Sequence, residues 1–155
     1  MNTTLNALAI VISLFSLMSS VFASPIPLRP GLYFRNKSIP YKYIEIAKKG
    51  NKYCYHGVST HGVSYASLIP VPNHPNIYKL AKESNNESDN LYVAQTDKEN
   101  IDFGTMKEVI NHASNSTSKH SFGANSLEDD IRKDSYIQQC FNSQKPFSLI
   151  IPSRH

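Results

Sequence analysis

Apolar and polar residues alternate in short runs through most of the chain after residue 31. A period of two is typical of strands that bury one face. Prolines and turn-forming Gly and Asn residues separate the runs at about 10 to 15 residue intervals, as in an antiparallel meander. The runs cover residues 32–35, 41–46, 52–58, 63–69, 76–80, 91–95, 101–105 and 147–151. The pattern predicts an antiparallel sheet of about six or seven strands, with a barrel as its curled form.

A different period follows residue 125 and indicates a helix. Ser126 suits an N-cap with Asp129 three residues further on, and apolar side chains then recur near helical spacing. These side chains are Leu127, Ile131, Ile137, Cys140 and Phe141. We therefore predict one C-terminal helix over residues 126–142, packed on the sheet, and a fold of the α+β class. The acidic cluster at residues 128–130 is assigned to the helix start rather than to a catalytic or calcium site.

The stretch near residues 111–125 is rich in Asn and Ser and poor in large apolar side chains. Such a composition buries little surface, so we predict a mobile loop there. Residues 106–112, just before it, are expected to form one or two helical turns.

The amino terminus has the pattern of an export signal. An apolar core runs from Ala7 to Met18, small residues follow, and a cleavage site fits after Ala23, just before Pro25 and Pro27. The alternative, a retained membrane anchor, needs about 20 apolar residues, which this core does not supply. No Lys or Arg precedes the core, which is atypical of a signal. We predict a signal peptide over residues 1–23, a single domain over 24–155 without a membrane span, and a secreted or periplasmic location.

The net charge of +4 is distributed unevenly along the chain. Residues 24–58 hold seven basic side chains against Glu45 alone, whereas residues 79–110 hold more acidic than basic ones. Two solvated faces of opposite sign explain this asymmetry, and a dedicated anion site is the alternative. An excess of this size does not by itself indicate a nucleic-acid binder, so nucleic acid is not among the expected partners.

Cys54 and Cys140 are the two cysteines of the chain. In an exported protein, a single disulfide between them is the simplest expectation. There is no Cys-x-x-Cys motif for redox chemistry, and two isolated cysteines do not make a zinc site. A nucleophilic cysteine stays open as an alternative at Cys54, because His56 would share its face in a strand.

The chemistry-bearing residues match no catalytic, metal or cofactor motif, and we predict neither a cofactor nor a metal. The segment from Gly57 to Gly62 is one residue too long for the Gly-x-Ser-x-Gly turn of serine hydrolases. One constellation favours an enzyme: Glu45, His56 and Arg35 lie on three successive predicted strands. A carboxylate base, a histidine acid and a cation for the phosphate are what a ribonuclease needs.

Eight tyrosines lie on the predicted strands, and the chain has no tryptophan. Packing in the core and across strands is one explanation, and an aromatic binding face for a protein, peptide or saccharide is the other. We therefore expect a non-enzymatic binding or interaction module. The alternative is a small secreted hydrolase of ribonuclease type.

Several short segments carry a family resemblance. They are Lys-Tyr-Cys-Tyr-His-Gly at residues 52–57, Gly-Val-Ser at 62–64, Ala-Ser at 66–67, and Cys140 followed by Lys-Pro-Phe at 145–147. In these segments the chain resembles small exported cyanobacterial proteins of unknown function. The resemblance implies the compartment and no activity. Asn36, Asn86 and Asn115 fit the glycan acceptor rule, which matters only in a eukaryotic host.

Overall fold

The computed structural model describes residues 26–35, 42–82, 89–111, 119–125 and 134–153. Within these ranges, nine antiparallel strands form one sheet. The strands are β1 (Gly31–Phe34), β2 (Tyr43–Lys49), β3 (Lys52–Ser59), β4 (Gly62–Val71), β5 (His74–Leu80), β6 (Tyr92–Gln95), β7 (Asn100–Gly104), β8 (Lys119–Ala124) and β9 (Ser148–Pro152). Each of β1 to β7 pairs with the strand that follows it, and β8 pairs with β1. These eight strands therefore close into an up-and-down barrel.

The ninth strand lies beside the barrel and covers part of β4. β9 pairs with residues 62–66 of β4, whereas β5 pairs with residues 68–71 farther along it. β3 takes the other edge of β4, so β9 and β5 share one edge. The backbone of β9 passes so close to Gly62 that a β-carbon there would overlap the carbonyl oxygen of Ile151. Gly62 also has a φ of 133°, a conformation that favours glycine.

Within the described residues, two short helices pack on the outside of the barrel. Helix α1 (Met106–Ile110) lies against β6 and β7 and buries Val109. Helix α2 (Ser135–Asn142) lies against β3 and β4 and buries Ile137, Cys140 and Phe141. No helix in the described ranges is long and apolar enough to cross a membrane.

Strand alternation divides the apolar side chains between the barrel interior and its outer face. The interior cluster includes Tyr33, Ile46, Leu68, Val93 and Ile101. An outer cluster lies under α2 and contains Ala47, Cys54, Tyr65, Ile137, Cys140 and Phe141. A second outer cluster, of Ile77, Tyr92, Ala94 and Val109, lies under α1. The helices thus cover apolar side chains that the closed barrel cannot bury.

The predicted disulfide is confirmed. Cys54 on β3 is bonded to Cys140 on α2, across a sequence separation of 86 residues. Both residues are buried. Such a bond is typical of oxidising compartments. It fixes the C-terminal helix to the outer wall of the barrel.

The N-terminal segment closes one end of the barrel. Leu28 is 2 % exposed and belongs to the interior cluster. The backbone N–H of Arg29 donates to Gln95 Oε1 at 2.9 Å, and its carbonyl accepts from the Tyr33 hydroxyl at 2.7 Å. The Arg29 guanidinium lies 3.5 Å from the centroid of the Phe122 ring. We call this side the closed end.

The antiparallel, barrel-like sheet is as predicted, but the number of strands is larger. Part of the predicted loop near residues 111–125 is wrong, because Lys119–Ala124 form β8. His120 pairs with Ile101 and Phe122 pairs with Tyr33, so both ring side chains point into the barrel. The residues between and beside them in β8 are small or polar. The strand was not predicted because the segment around it is rich in Ser and Asn and poor in large apolar side chains. It forms because it satisfies the backbone hydrogen bonds of β1 and β7 together.

The helical content also differs from the α+β expectation of one C-terminal helix. The described helix begins at Ser135, with Asp134 as its N-cap, and ends at Asn142 as predicted. The short helix α1 occupies the predicted helical turns after residue 105. The predicted start at Ser126, the signal peptide over residues 1–23 and the three glycan acceptors lie outside the described residues.

Replacing both cysteines, Cys54→Ala with Cys140→Ala, is expected to lower the free energy of unfolding by about 2–5 kcal/mol, because the bond closes a long loop. Urea denaturation followed by circular dichroism measures the change. Wild-type protein in reductant is the control, since it loses the bond but keeps both sulfur atoms. A loss below about 1 kcal/mol in both samples would contradict this account.

Alkaline pH is expected to destabilise the barrel. Burial raises the pKa values of Tyr33 and Tyr55 from 10.0 to about 12. Between these values the folded chain holds more protons than the unfolded chain, so the free energy of unfolding falls as the pH rises. The stabilisation is complete below pH 10 and declines above it.

Urea midpoints at about pH 9 and about pH 11 measure this decline. The Tyr33→Phe variant should show a shallower decline, because it removes one of the raised groups. Equal slopes for the variant and the wild type would contradict the assignment to Tyr33.

Candidate functional site

The side chains of the described residues leave the barrel interior unfilled at the end opposite Leu28. A cavity of about 610 Å³ opens there, where the chain connects β1 to β2, β3 to β4, β5 to β6 and β7 to β8. We call this cavity the cup and its open side the mouth. The cup is lined by Arg35, Lys42, Ile44, Tyr55, Gly57, Ser59, Ser64, Leu91, Phe103 and His120, with Tyr43 and Val58 at its margin. A closed eight-stranded barrel has room for such a cavity or for a packed core.

The pairing of β3 with β4 explains why the cup is open at one end. From the closed end toward the mouth, the inward pairs are Tyr53 with Leu68, Tyr55 with Ala66, Gly57 with Ser64, and Ser59 with Gly62. Large side chains therefore meet near the closed end and small ones meet near the mouth. The small pairs leave the space that becomes the cup.

Two aromatic rings form the floor of the cup. Tyr55 and Phe103 come from β3 and β7, on opposite sides of the barrel, and their rings stack at 5.6 Å with an angle of 9° between planes. A β-carbon at Gly57 would overlap the Tyr55 hydroxyl, so the glycine makes room for this ring. Burial raises the pKa of Tyr55 to about 12, and a hydrogen bond with the Ser64 side chain opposes this rise. The floor is thus flat and apolar, with one polar group.

The mouth of the cup is basic. Arg35 continues the inward face of β1 beyond Tyr33, and Lys42 precedes Ile44 on the inward face of β2. His120 lies on the inward face of β8, and its ring meets Phe103 edge to face at 6.2 Å. Neither Asp nor Glu is among the described residues that line the cup. The apolar body of the cup is therefore rimmed by positive charge.

A smaller cavity of about 150 Å³ lies beside the cup, and we call it the side pocket. Tyr55, Ser64, Leu91 and Phe103 line both cavities. The outer part of the side pocket is lined by Leu80, Ala81, Lys82, Ser148 and Ile150. The side pocket lies where the strand paired with β4 changes from β5 to β9.

The predicted trio of Glu45, His56 and Arg35 is divided by the barrel wall. Glu45 Oε2 lies 3.0 Å from His56 Nδ1, on paired positions of β2 and β3. Both side chains face outward, and the two residues are 9 % and 8 % exposed. Arg35 lines the cup on the inner side. The structure brings the carboxylate and the histidine together and places the cation elsewhere.

The histidine belongs to a polar network under α2. Its ring stacks on Tyr65 at 4.6 Å with an angle of 3°, and the Tyr65 hydroxyl donates to Asp134 Oδ2 at 3.1 Å. Asp134 caps α2 by accepting from the backbone N–H of Tyr136 at 2.8 Å. Burial, followed by the Asp134 carboxylate, raises the pKa of Tyr65. These contacts hold the helix on the barrel and leave little surface for a substrate.

The strand tyrosines do not form an outer aromatic face in the part of the chain that the structure describes. Six are buried, namely Tyr33, Tyr53, Tyr55, Tyr65, Tyr78 and Tyr92, while Tyr43 is partly buried and Tyr41 lies outside the described ranges. The aromatic surface open to a ligand is instead the floor of the cup. The buried tyrosines therefore do not support an aromatic binding face on the outside of the sheet.

Sequence reasoning missed most residues of the cup. Strand alternation already placed Ser64 on the face of Ala66 and Leu68, but it did not show that this face lines a closed interior. Gly57 and Ser64 indicate a cavity only once it is known that they pair with each other across β3 and β4. In the described ranges, no three His, Cys, Asp or Glu side chains are grouped so that they could hold a metal ion.

The cup is larger than the side pocket, and it combines an aromatic floor with a basic mouth. Its geometry is therefore the basis on which a function is assigned. Comparisons of the chain with models of protein families, with curated proteins and with solved structures find no match.

Proposed function

We propose that this protein is an exported, non-enzymatic binding protein that holds one small organic molecule in the cup. The observation that carries the proposal is the cavity of about 610 Å³ inside the barrel, which the described residues fill at one end and leave open at the other. Ligand sites are typically concave, about 300–1,000 Å³ in volume and mostly apolar with a few polar groups. The cup has this size and this composition.

The rigidity of the wall supports a binding role. Backbone hydrogen bonds join all eight strands in a closed circuit, and the disulfide and α2 brace β3 and β4 from outside. β3 carries Tyr55 and Gly57, and β4 carries Ser64. A cavity whose walls are held in this way needs little ordering when a ligand enters, so less binding free energy is lost.

The alternative of a ribonuclease-type hydrolase receives less support from the geometry. That chemistry needs a base, an acid and a cation around one substrate phosphate. Glu45 and His56 are buried on the outer wall, while Arg35 lies at the mouth. A hydrolase would require these groups to share one cleft.

Export completes the proposal. The disulfide between Cys54 and Cys140 supports an oxidising compartment, and the apolar N-terminal segment supports secretion or periplasmic export with cleavage near Ala23. We expect the intact mass of the exported protein to correspond to residues 24–155 with one disulfide. A mass that retains residues 1–23, or two thiols alkylated before reduction, would contradict export.

Filling the cup is expected to abolish ligand binding. In the Ser64→Trp variant, the indole would occupy the space beside Gly57. The affinity for the neutral dye N-phenylnaphthylamine should fall at least about tenfold, which corresponds to about 1.4 kcal/mol of binding free energy. Fluorescence titration of the dye measures the affinity.

Ser135→Trp is the matched control, because Ser135 is exposed at the start of α2 and does not line the cup. This control should bind the dye like the wild type. If Ser64→Trp does not melt cooperatively, Leu91→Trp is the second variant, since Leu91 lines the cup from β6's side of the barrel. A folded cup variant with unchanged affinity would overturn the proposed function.

A further inference from the structure

We propose that the ligand of the cup is an amphiphilic organic anion. Its acidic headgroup lies at the mouth beside Arg35 and Lys42, and its apolar body lies on the floor formed by Tyr55 and Phe103. This inference rests on the proposed function, because it names the class of molecule that the same cup takes. Organic carboxylates, sulfonates and phosphate monoesters share the required headgroup chemistry.

The end of the ladder between β1 and β2 brings two basic residues to the mouth. Phe34 pairs with Tyr43, and Arg35 directly follows Phe34 while Lys42 directly precedes Tyr43. Both residues line the mouth. Like charges that line one recess repel each other, and an anion between them would remove the repulsion.

Two other basic residues of the N-terminal half have structural partners. Arg29 pairs with Glu99 at 2.9 Å, and Lys52 donates to the carbonyl of Phe141 at 2.8 Å. Within the described ranges, Arg35 and Lys42 form no ion pair with a carboxylate. Their charge is therefore not explained by contacts that hold the described fold together.

The side pocket extends the same electrostatic character. Its charged lining residue in the described ranges is Lys82, and no described residue that lines either cavity is acidic. Arg35, Lys42 and Lys82 would repel a cationic ligand. A neutral ligand would use the apolar floor but would leave the basic groups at the mouth without a role.

The position of the charges also fixes the orientation of the ligand. Burying an unpaired charge against apolar rings is costly, so a headgroup does not belong on the floor. At the mouth, solvent still reaches the headgroup, and Arg35 offers two parallel N–H donors to a carboxylate, sulfonate or phosphate. The apolar body then covers Tyr55 and Phe103, where loss of contact with water stabilises the complex.

A pair of dyes with the same ring system tests this proposal. Anilinonaphthalene sulfonate carries an acidic group, and N-phenylnaphthylamine lacks it. We expect the sulfonate to bind the wild type more tightly than the neutral dye does. The Arg35→Gln variant should weaken the sulfonate about fivefold, and Arg35→Gln with Lys42→Gln should weaken it at least about tenfold. Neither variant should change the affinity of the neutral dye.

The matched control is Lys49→Gln, because Lys49 is exposed at the closed end and the variant removes the same charge from the chain. It should bind both dyes like the wild type. Raising the ionic strength from about 10 mM to about 150 mM should weaken the sulfonate alone, since salt screens exposed charges. Thermal unfolding by circular dichroism confirms that each variant is folded.

The outcomes separate this inference from the function on which it rests. If Ser64→Trp abolishes binding of both dyes but the charge variants change neither affinity, the cup is a binding site and the anion proposal is wrong. The anion proposal is also wrong if the charge variants weaken both dyes equally. If Ser64→Trp leaves both affinities unchanged in the folded protein, the proposed function itself fails.

Displacement of the bound sulfonate dye identifies the body of the anion. Dodecanoate would indicate an acyl chain, and naphthoate would indicate a ring system; displacement by either acid supports the proposal. Dodecanol and naphthalenemethanol are the neutral controls of matching shape. Equal displacement by the acids and the alcohols would overturn the requirement for an acidic headgroup.

Discussion

The antiparallel pairing of β8 with β1 is the contact on which the rest of the structure depends. It joins Phe122 to Tyr33 and Ser121 to Phe34, and it turns an open meander into a closed barrel. Closure gives every strand of the circuit two neighbours, so the circuit itself has no edge strand, and β9 lies outside it on β4. Closure also defines an inside. Without this pairing, the inward side chains would line one face of a sheet, and the cup would not exist.

The two ends of the barrel differ because the inward side chains differ in size and polarity. At the closed end, Leu28 and Tyr33 fill the interior, and Arg29 covers the Phe122 ring. Toward the mouth, Gly57 faces Ser64 and leaves a cavity. The same alternation of strand residues therefore makes a packed core at one end and a binding recess at the other. The proposed ligand site is a direct consequence of this gradient.

The outer wall carries the residues that the sequence first associated with chemistry. Cys54 is bonded to Cys140, and His56 joins Glu45 to the ring of Tyr65, whose hydroxyl reaches the N-cap of α2. Covalent, aromatic and hydrogen-bonded contacts thus fasten one short helix to β3 and β4. These contacts stabilise the wall of the cup from the outer face of the barrel. A buried pair that looks like an acid and a base is here explained by its role in positioning a helix.

Local patterns in the sequence determined the antiparallel strands, the end of the last helix at Asn142 and the disulfide between Cys54 and Cys140. These features depend on period, on turn residues and on the presence of two cysteines in a chain that is predicted to be exported, all of which are local or compositional. Only the tertiary structure decided that β8 exists, that six of the strand tyrosines are buried inside the barrel or under a helix, and that Arg35 lies apart from Glu45 and His56. The physical reason is closure: strand pairing between distant residues determines which face becomes the interior, and alternation along one strand cannot specify that choice.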